Sequence, residues 1–161
     1  IIFFFFFFQG LSMAYNIYLS GEIHTSWRTE IINSVKSEGL DVEFSFPELN
    51  HDLSDNCGSL ILGSEDDRFW VDHKSSKINF IRTRKLIKEA DIVVVRFGEN
   101  YKQWNAAFDA GYSVALNKSL IVIHSKENRH ALKEVDAMAL AVLSKPSEVS
   151  KLLKYVVEGS L

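Results

Sequence analysis

Cysteine, proline and glycine are scarce: 1 Cys, 2 Pro and 8 Gly in 161 residues. A lone thiol, Cys57, excludes an internal disulfide framework and a thiolate zinc site. So little Pro and Gly, beside a steady supply of Val, Ile and Leu, excludes low-complexity disorder. Positive charge is short as well. Lys+Arg total 18 against 21 Asp+Glu, a net charge of -3, which speaks against a protein that grips polymeric nucleic acid by bulk field. No apolar run approaches the roughly 20 residues of a spanning helix, so no membrane partner is expected. With 47% hydrophobic and 24% charged residues, the chain has material for one globular core and is too short for two ordinary domains.

Residues 1–12 read IIFFFFFFQGLS. This stretch lacks the basic start and small-residue cleavage site of a signal peptide. Phe8-Gln9-Gly10 resembles the end of a protease recognition site, and the run before it sits where a tag would. The expectation is a tag remnant over 1–12, a natural start at Met13, a single domain over 13–161 and a cytoplasmic location.

Strand and helix patterns alternate from there. Tyr15 to Leu19 reads as a strand that Ser20-Gly21 ends. Thr25 and Ser26 are N-cap types. Trp27, Ile31 and Val35 recur at helical spacing until Gly39. Val42 to Phe46 is a second strand, closed by Pro47. Residues 48–66 show no period and read as a long polar loop, the kind that is functional or disordered. A helix is predicted over 74–90 with Phe80, Thr83, Ile87 and Ala90 inward. Asp91 to Val95 is a continuous apolar strand, the mark of a strand buried on both faces. The next helix is predicted to bury Trp104, Phe108, Gly111 and Ala115. Strands at 120–123 and 139–143, a short helix at 130–135 and a last helix capped by Ser147 complete the pattern. The last helix carries Val149, Leu152, Leu153 and Val156 on one face. Near-continuous apolar strands alternating with helices imply a doubly wound α/β fold, a parallel sheet with helices on both faces. The predicted architecture is flavodoxin-like, with five strands in the order 2-1-3-4-5 and a crevice between strands one and three.

Ligands in such folds bind beyond the carboxyl ends of the strands. The segments placed there hold more Glu, His, Asn and aromatic residues than plain connections need. After strand one come Ser20, Gly21, Glu22 and His24. After strand two come Pro47 and His51, and after strand three Arg96, Gly98 and Glu99. On the following helix, Asn105, Asp109 and Tyr112 fall at i, i+4 and i+7 and share one face. A carboxylate at Asp109 stands at the mouth of the crevice, unless it is simply an acid on an exposed helix face. Gly111 would let another backbone approach closely.

Tyr18-Leu19-Ser20-Gly21 together with Asp109-Ala110-Gly111-Tyr112 resembles the nucleoside 2-deoxyribosyltransferase superfamily, in which a strand ends in Tyr-x-x-Gly and a later helix carries Glu-x-Gly-Tyr. More specifically, GEIHTSWR (21–28), NHDLSDN (50–56) and FGENYKQWNAAFDAGY (97–112) resemble the YtoQ family, a branch of that superfamily. The resemblance runs from Met13 to the last helix. It implies a carboxylate that attacks the anomeric carbon of a deoxynucleoside, expels the base, and passes the sugar to another base or to water. Asp109 takes the nucleophile's place and Tyr18 that of the tyrosine that orients it. No organic cofactor and no metal is implied, the ligand is a small nucleoside or nucleotide, and a homo-oligomer is implied by analogy. The chain also departs from the pattern. Asp109 is one methylene shorter than Glu. Thr83 and Gln103 stand where the superfamily has ligand-binding carboxylates. Asn105-Ala106 replaces a Gly-Thr.

Several residues admit two readings. Glu22 is either the acid that protonates a leaving base or a capper of the helix that begins near Thr25. Arg28 either binds a phosphate at that helix start or is a solvated charge. Arg96 ends a buried strand and needs a partner: Glu22, Glu99 or a ligand anion. His24, His51 and His73 lie near acids, yet none has the spacing of a zinc site. Trp104 and Tyr101 either stack on a base or, for Trp104, fill the core. The whole is either an enzyme of the N-glycosidic bond or a non-catalytic nucleotide-binding module with the same crevice.

Overall fold

A computed structural model describes residues 14–100 and 102–161. The expected tag remnant, Met13 and Tyr101 lie outside the described residues. The chain runs β1 (Tyr15–Gly21), α1 (Trp27–Ser37), β2 (Val42–Ser45), α2 (His51–Leu62), α3 (Arg68–Glu89), β3 (Ile92–Arg96), α4 (Trp104–Ala115), β4 (Ser119–Ile123), α5 (Lys133–Met138), β5 (Ala141–Leu143) and α6 (Pro146–Glu158). Five strands form one sheet in the order β2-β1-β3-β4-β5. Every pairing is parallel, as the sequence predicts.

Side-chain alternation divides the core into two layers. Ile17 and Leu19 of β1, Ile92 and Val94 of β3, and Ile121 and Ile123 of β4 meet Trp27, Ile31 and Val35 of α1 and Val149 and Leu153 of α6. The opposite face carries Tyr18, Val93, Val95, Leu120 and Val122 against Ile87 of α3 and Ala106 and Ala110 of α4. Fully burying each such Val, Ile or Leu stabilises by about 1.5–3 kcal/mol. By the same parity Ser20, two residues beyond Tyr18, points toward α3 and α4.

Four predictions need correction. Residues 48–66 are not a loop: Asn50 accepts a hydrogen bond from the Leu53 amide at 3.0 Å and starts α2. That helix escapes a periodicity reading because it packs on α3 through small groups. Cys57 and Gly58 are buried at the contact, while Leu60, Ile61 and Leu62 stay exposed. Second, α3 begins at Arg68, capped by Asp67, and its Phe80 is exposed. Third, α4 is turned from its predicted phase. Ala106, Asp109, Ala110 and Ser113 are buried, while Trp104 and Phe108 are 73% and 56% exposed, and Gly111 and Ala115 are also outward. Small residues let α4 sit close on the sheet and leave its aromatics outside. Fourth, Glu148, not Ser147, closes the start of α6, accepting from the Ser144 and Lys145 amides at 2.7 and 2.9 Å. Val156 is exposed. The short helix predicted at 130–135 is α5, three residues further on.

Candidate functional site

Beyond the carboxyl ends of β1 and β3 opens a cavity of about 1100 Å³. The β1 exit forms its floor, the α2–α3 pair one wall and the start of α4 the other. Of the residues singled out in the sequence, Ser20, Gly21, Glu22, His24, Pro47, His51, Trp104, Asn105 and Asp109 line it. Tyr18 lies beneath the floor, wholly buried. Arg28, Arg96, Gly98 and Glu99 are not among the lining residues.

Asp109 is only 8% exposed. Its position on the buried face of α4 brings the carboxylate over the β1 exit, where Ser20 Oγ donates to Oδ2 at 2.5 Å. Burial pushes the Asp109 carboxyl up to about 6, and the Ser20 hydrogen bond opposes that rise. The Tyr18 hydroxyl lies near Asp109 and Thr83 and, among the described residues, makes no hydrogen bond of good geometry. Burial first, and the Asp109 charge second, drive the phenol above its ordinary range. Tyr18 is therefore a neutral hydroxyl beside an acid.

Glu22 has a different task. Burial disfavours its charge, yet the Thr25 hydroxyl, the His24 and Thr25 amides and the charge of Arg96 together hold its carboxyl below the usual range. The Thr25 hydroxyl and amide donate at 2.5 and 3.0 Å, and the His24 amide also donates. An ionised, fully engaged carboxylate is a loop anchor, so of the two readings the capping one fits the geometry.

Arg28 is neither solvated nor turned to a ligand. Its Nε donates to the Leu19 carbonyl at 3.0 Å, Nη1 to Glu22 at 2.6 Å and Nη2 to Gly21 at 3.0 Å. The guanidinium also lies over the Trp27 ring at 4.5 Å. Trp27 Nε1 donates to the same Glu22 carbonyl at 2.7 Å. These donors satisfy carbonyls that the end of a strand would otherwise orphan. Gly21 completes the turn with φ at +105°, where a Cβ would collide with the Arg96 carbonyl oxygen. A Cβ on Gly98 would likewise strike the Glu22 side chain. Arg28 thus ties α1 to the β1 exit, Arg96, Gly21 and Gly98 bring the β1 and β3 exits together, and Glu99 is exposed outside them.

The rim is aromatic and imidazole-rich. His24 stacks on His51 at 6.3 Å between ring centroids, and His51 Nδ1 lies 3.2 Å from Asp55. Among the described residues no three His, Cys, Asp or Glu side chains are grouped to hold a metal ion. Trp104, predicted as core on its spacing, instead stands at the rim, with Lys102 Nζ 5.9 Å from its ring. Phe80 and Phe108 also line the cavity and, with Tyr112, form one ring cluster.

Thr83 apart, sequence reading missed the wall that α3 supplies: Asp72, Ser76, Asn79, Phe80 and Arg82 line the cavity beside it. A signal was present. Asp72, Ser76, Asn79 and Thr83 recur at i, i+4, i+7 and i+11, a polar stripe on the side where a buried helix would be apolar. Gln103, at the start of α4, accepts from the Gly98 amide at 3.0 Å, and its buried Nε2 has no partner among the described residues.

No helix among the described residues is long and apolar enough to cross a membrane. The fold resembles that of a conserved protein from Enterococcus faecalis V583, with a TM-score of 0.60 over 89% of this chain and 99% of that one, at 11% identity. In sequence, the chain is 42% identical over 146 residues to the Bacillus subtilis (strain 168) "Uncharacterized protein YtoQ", covering 91% of this chain and 99% of the relative. The family model described as "Nucleoside 2-deoxyribosyltransferase YtoQ" matches residues 18–157, a span that holds Tyr18, Ser20, Glu22 and Asp109 alike, and the chain belongs to that family.

Proposed function

We propose that this protein cleaves the N-glycosidic bond of a small nucleoside or nucleotide, with Asp109 as nucleophile. One observation carries the reading: a buried carboxylate stands on the floor of a 1100 Å³ cavity at the β1–β3 crevice, beside a neutral tyrosine. The ionised Asp109 attacks the anomeric carbon as the bond from carbon to base nitrogen breaks. The base leaves with the electron pair and takes a proton from water, since Glu22 is held ionised and engaged. The product is a glycosyl ester on Asp109, which a second base or water then opens. Burial favours this step, because the ester removes a charge that the site holds at a cost. Tyr18, neutral and buried beside the acid, holds the place of the orienting tyrosine that the resemblance implies, and Trp104 and Phe108 offer faces on which a base stacks. The reading also carries the homo-oligomer implied by the resemblance.

The test is incubation of the purified protein with deoxynucleosides, deoxynucleotides and ribonucleotides while free base is followed. Wild type is expected to release base and Asp109→Ala is not. Equal rates from the two would remove the enzyme reading. A non-catalytic nucleotide-binding module is the second reading. It is favoured by Thr83 and Gln103, which line the cavity where ligand-binding acids were expected. That module would show a nucleotide-dependent rise in Tm with no turnover.

A further inference from the structure

We propose that Ser20 is the positioning residue of the Asp109 carboxylate: its hydroxyl fixes one carboxylate oxygen and leaves the other to meet the anomeric carbon. The proposal rests on Asp109 being the nucleophile. Ser20 is set by the sheet, not by a loop. It pairs in register with Val95 of β3, is 1% exposed, and shares the Tyr18 side of β1. A serine hydroxyl has one proton, and this one is donated to Asp109 Oδ2 at 2.5 Å, the length of a charge-assisted O–H···O⁻ bond. Among the described residues no donor reaches Oδ1. The two oxygens are thereby made unequal, and the less encumbered one is the better nucleophile. An aspartate also has fewer rotatable bonds than a glutamate, so one bond from a rigid strand suffices to set its plane. Placement within a fraction of an ångström is what such a reaction demands.

The same bond must favour the ionised acid over the protonated one, which gives a readout that packing alone would not move. The Asp109 carboxyl carbon is followed by NMR as pH is varied, its signal assigned by loss in Asp109→Asn. The wild-type midpoint is expected near the site's value of about 6. Ser20→Ala, and the nearly isosteric Ser20→Cys should the alanine variant fold poorly, are expected to raise that midpoint by about one pH unit. Ser20→Thr, which keeps the hydroxyl, should return it toward wild type. Ser150→Ala is the control, since it removes a buried hydroxyl of α6, in the other core layer, that has no partner among the described residues. An unchanged or lowered midpoint in the folded Ser20 variants overturns the proposal. So does an equal rise in Ser150→Ala. In the base-release assay the acid limb of kcat should move with the NMR midpoint. If Asp109→Ala releases base like wild type, the N-glycosidic reading falls, while the titration still decides whether Ser20 holds the acid.

Discussion

Asp109 is a site where function and stability pull apart. Its carboxyl has an ordinary value of 3.8 and is pushed to about 6 in the fold, first by burial. A carboxyl whose folded pKa lies above its unfolded one binds protons more tightly in the native state. The native state therefore loses stability as pH rises from about 4 to 6, and the penalty is full above that window. Two units correspond to about 3 kcal/mol. Asp109→Asn keeps the shape and can still accept from Ser20 without carrying charge. At pH 7.5 it is expected to raise the free energy of unfolding by about 1–3 kcal/mol, and the gain should vanish near pH 3.5. Urea titrations across that range check it, and a variant no more stable than wild type at neutral pH contradicts the buried charge. At this scale the sequence was legible for residue type but not for environment. The run from Tyr18 to Gly21 and Asp109 itself were visible. That Glu22 caps a turn and Arg28 binds three carbonyls depended on where β1 ends, which no spacing in the chain encodes.

At the scale of elements, two glycines make opposite claims. Gly58 lies in α2 where it crosses α3, and a Cβ there would collide with the backbone of Ser75 and with Lys74. The Ser75 hydroxyl accepts from the Gly58 amide at 3.0 Å and donates to the Asp55 carbonyl at 2.7 Å. Gly58→Ala would improve helix propensity by about 0.5–1 kcal/mol, but overpacking against backbone costs about 1–3 kcal/mol. The clash wins, so a net loss of stability is expected. Gly111 in α4 has none of the described residues within 4 Å of such a Cβ, and Gly111→Ala should stabilise by about 0.5–1 kcal/mol. Denaturant midpoints of the two variants should fall on opposite sides of wild type. The same contrast explains what periodicity revealed. Strands of continuous Val and Ile announced themselves, and so did α1 with its Trp27, Ile31 and Val35. Helices that pack through Gly, Ala and Ser carry little hydrophobic signal on their buried face, so α2 was invisible and α4 was assigned its outer face.

Across the whole molecule the sheet acts as a partition. Asp109, Ser20 and Tyr18 all stand on the α3–α4 side, and the apolar cluster that α1 and α6 build lies on the other. The parallel order, read correctly from the strands, made this division inevitable, because alternate residues of each central strand must enter opposite layers. It follows that stability and site chemistry are separable by layer. Leu153→Ala, in α6, removes a fully buried side chain and should cost about 2–5 kcal/mol. Val95→Ala, beside Ser20 in register, removes less volume yet lies in the site layer and should disturb the acid. The expected result is a large drop in urea midpoint with an unmoved Asp109 carboxyl titration for Leu153→Ala, and a smaller drop with a displaced titration for Val95→Ala. Distant substitutions that share no partners usually act independently. A Leu153→Ala protein that is still folded but whose Asp109 titrates at a new midpoint would mean that strain crosses the sheet, and that the α1–α6 layer helps shape the site.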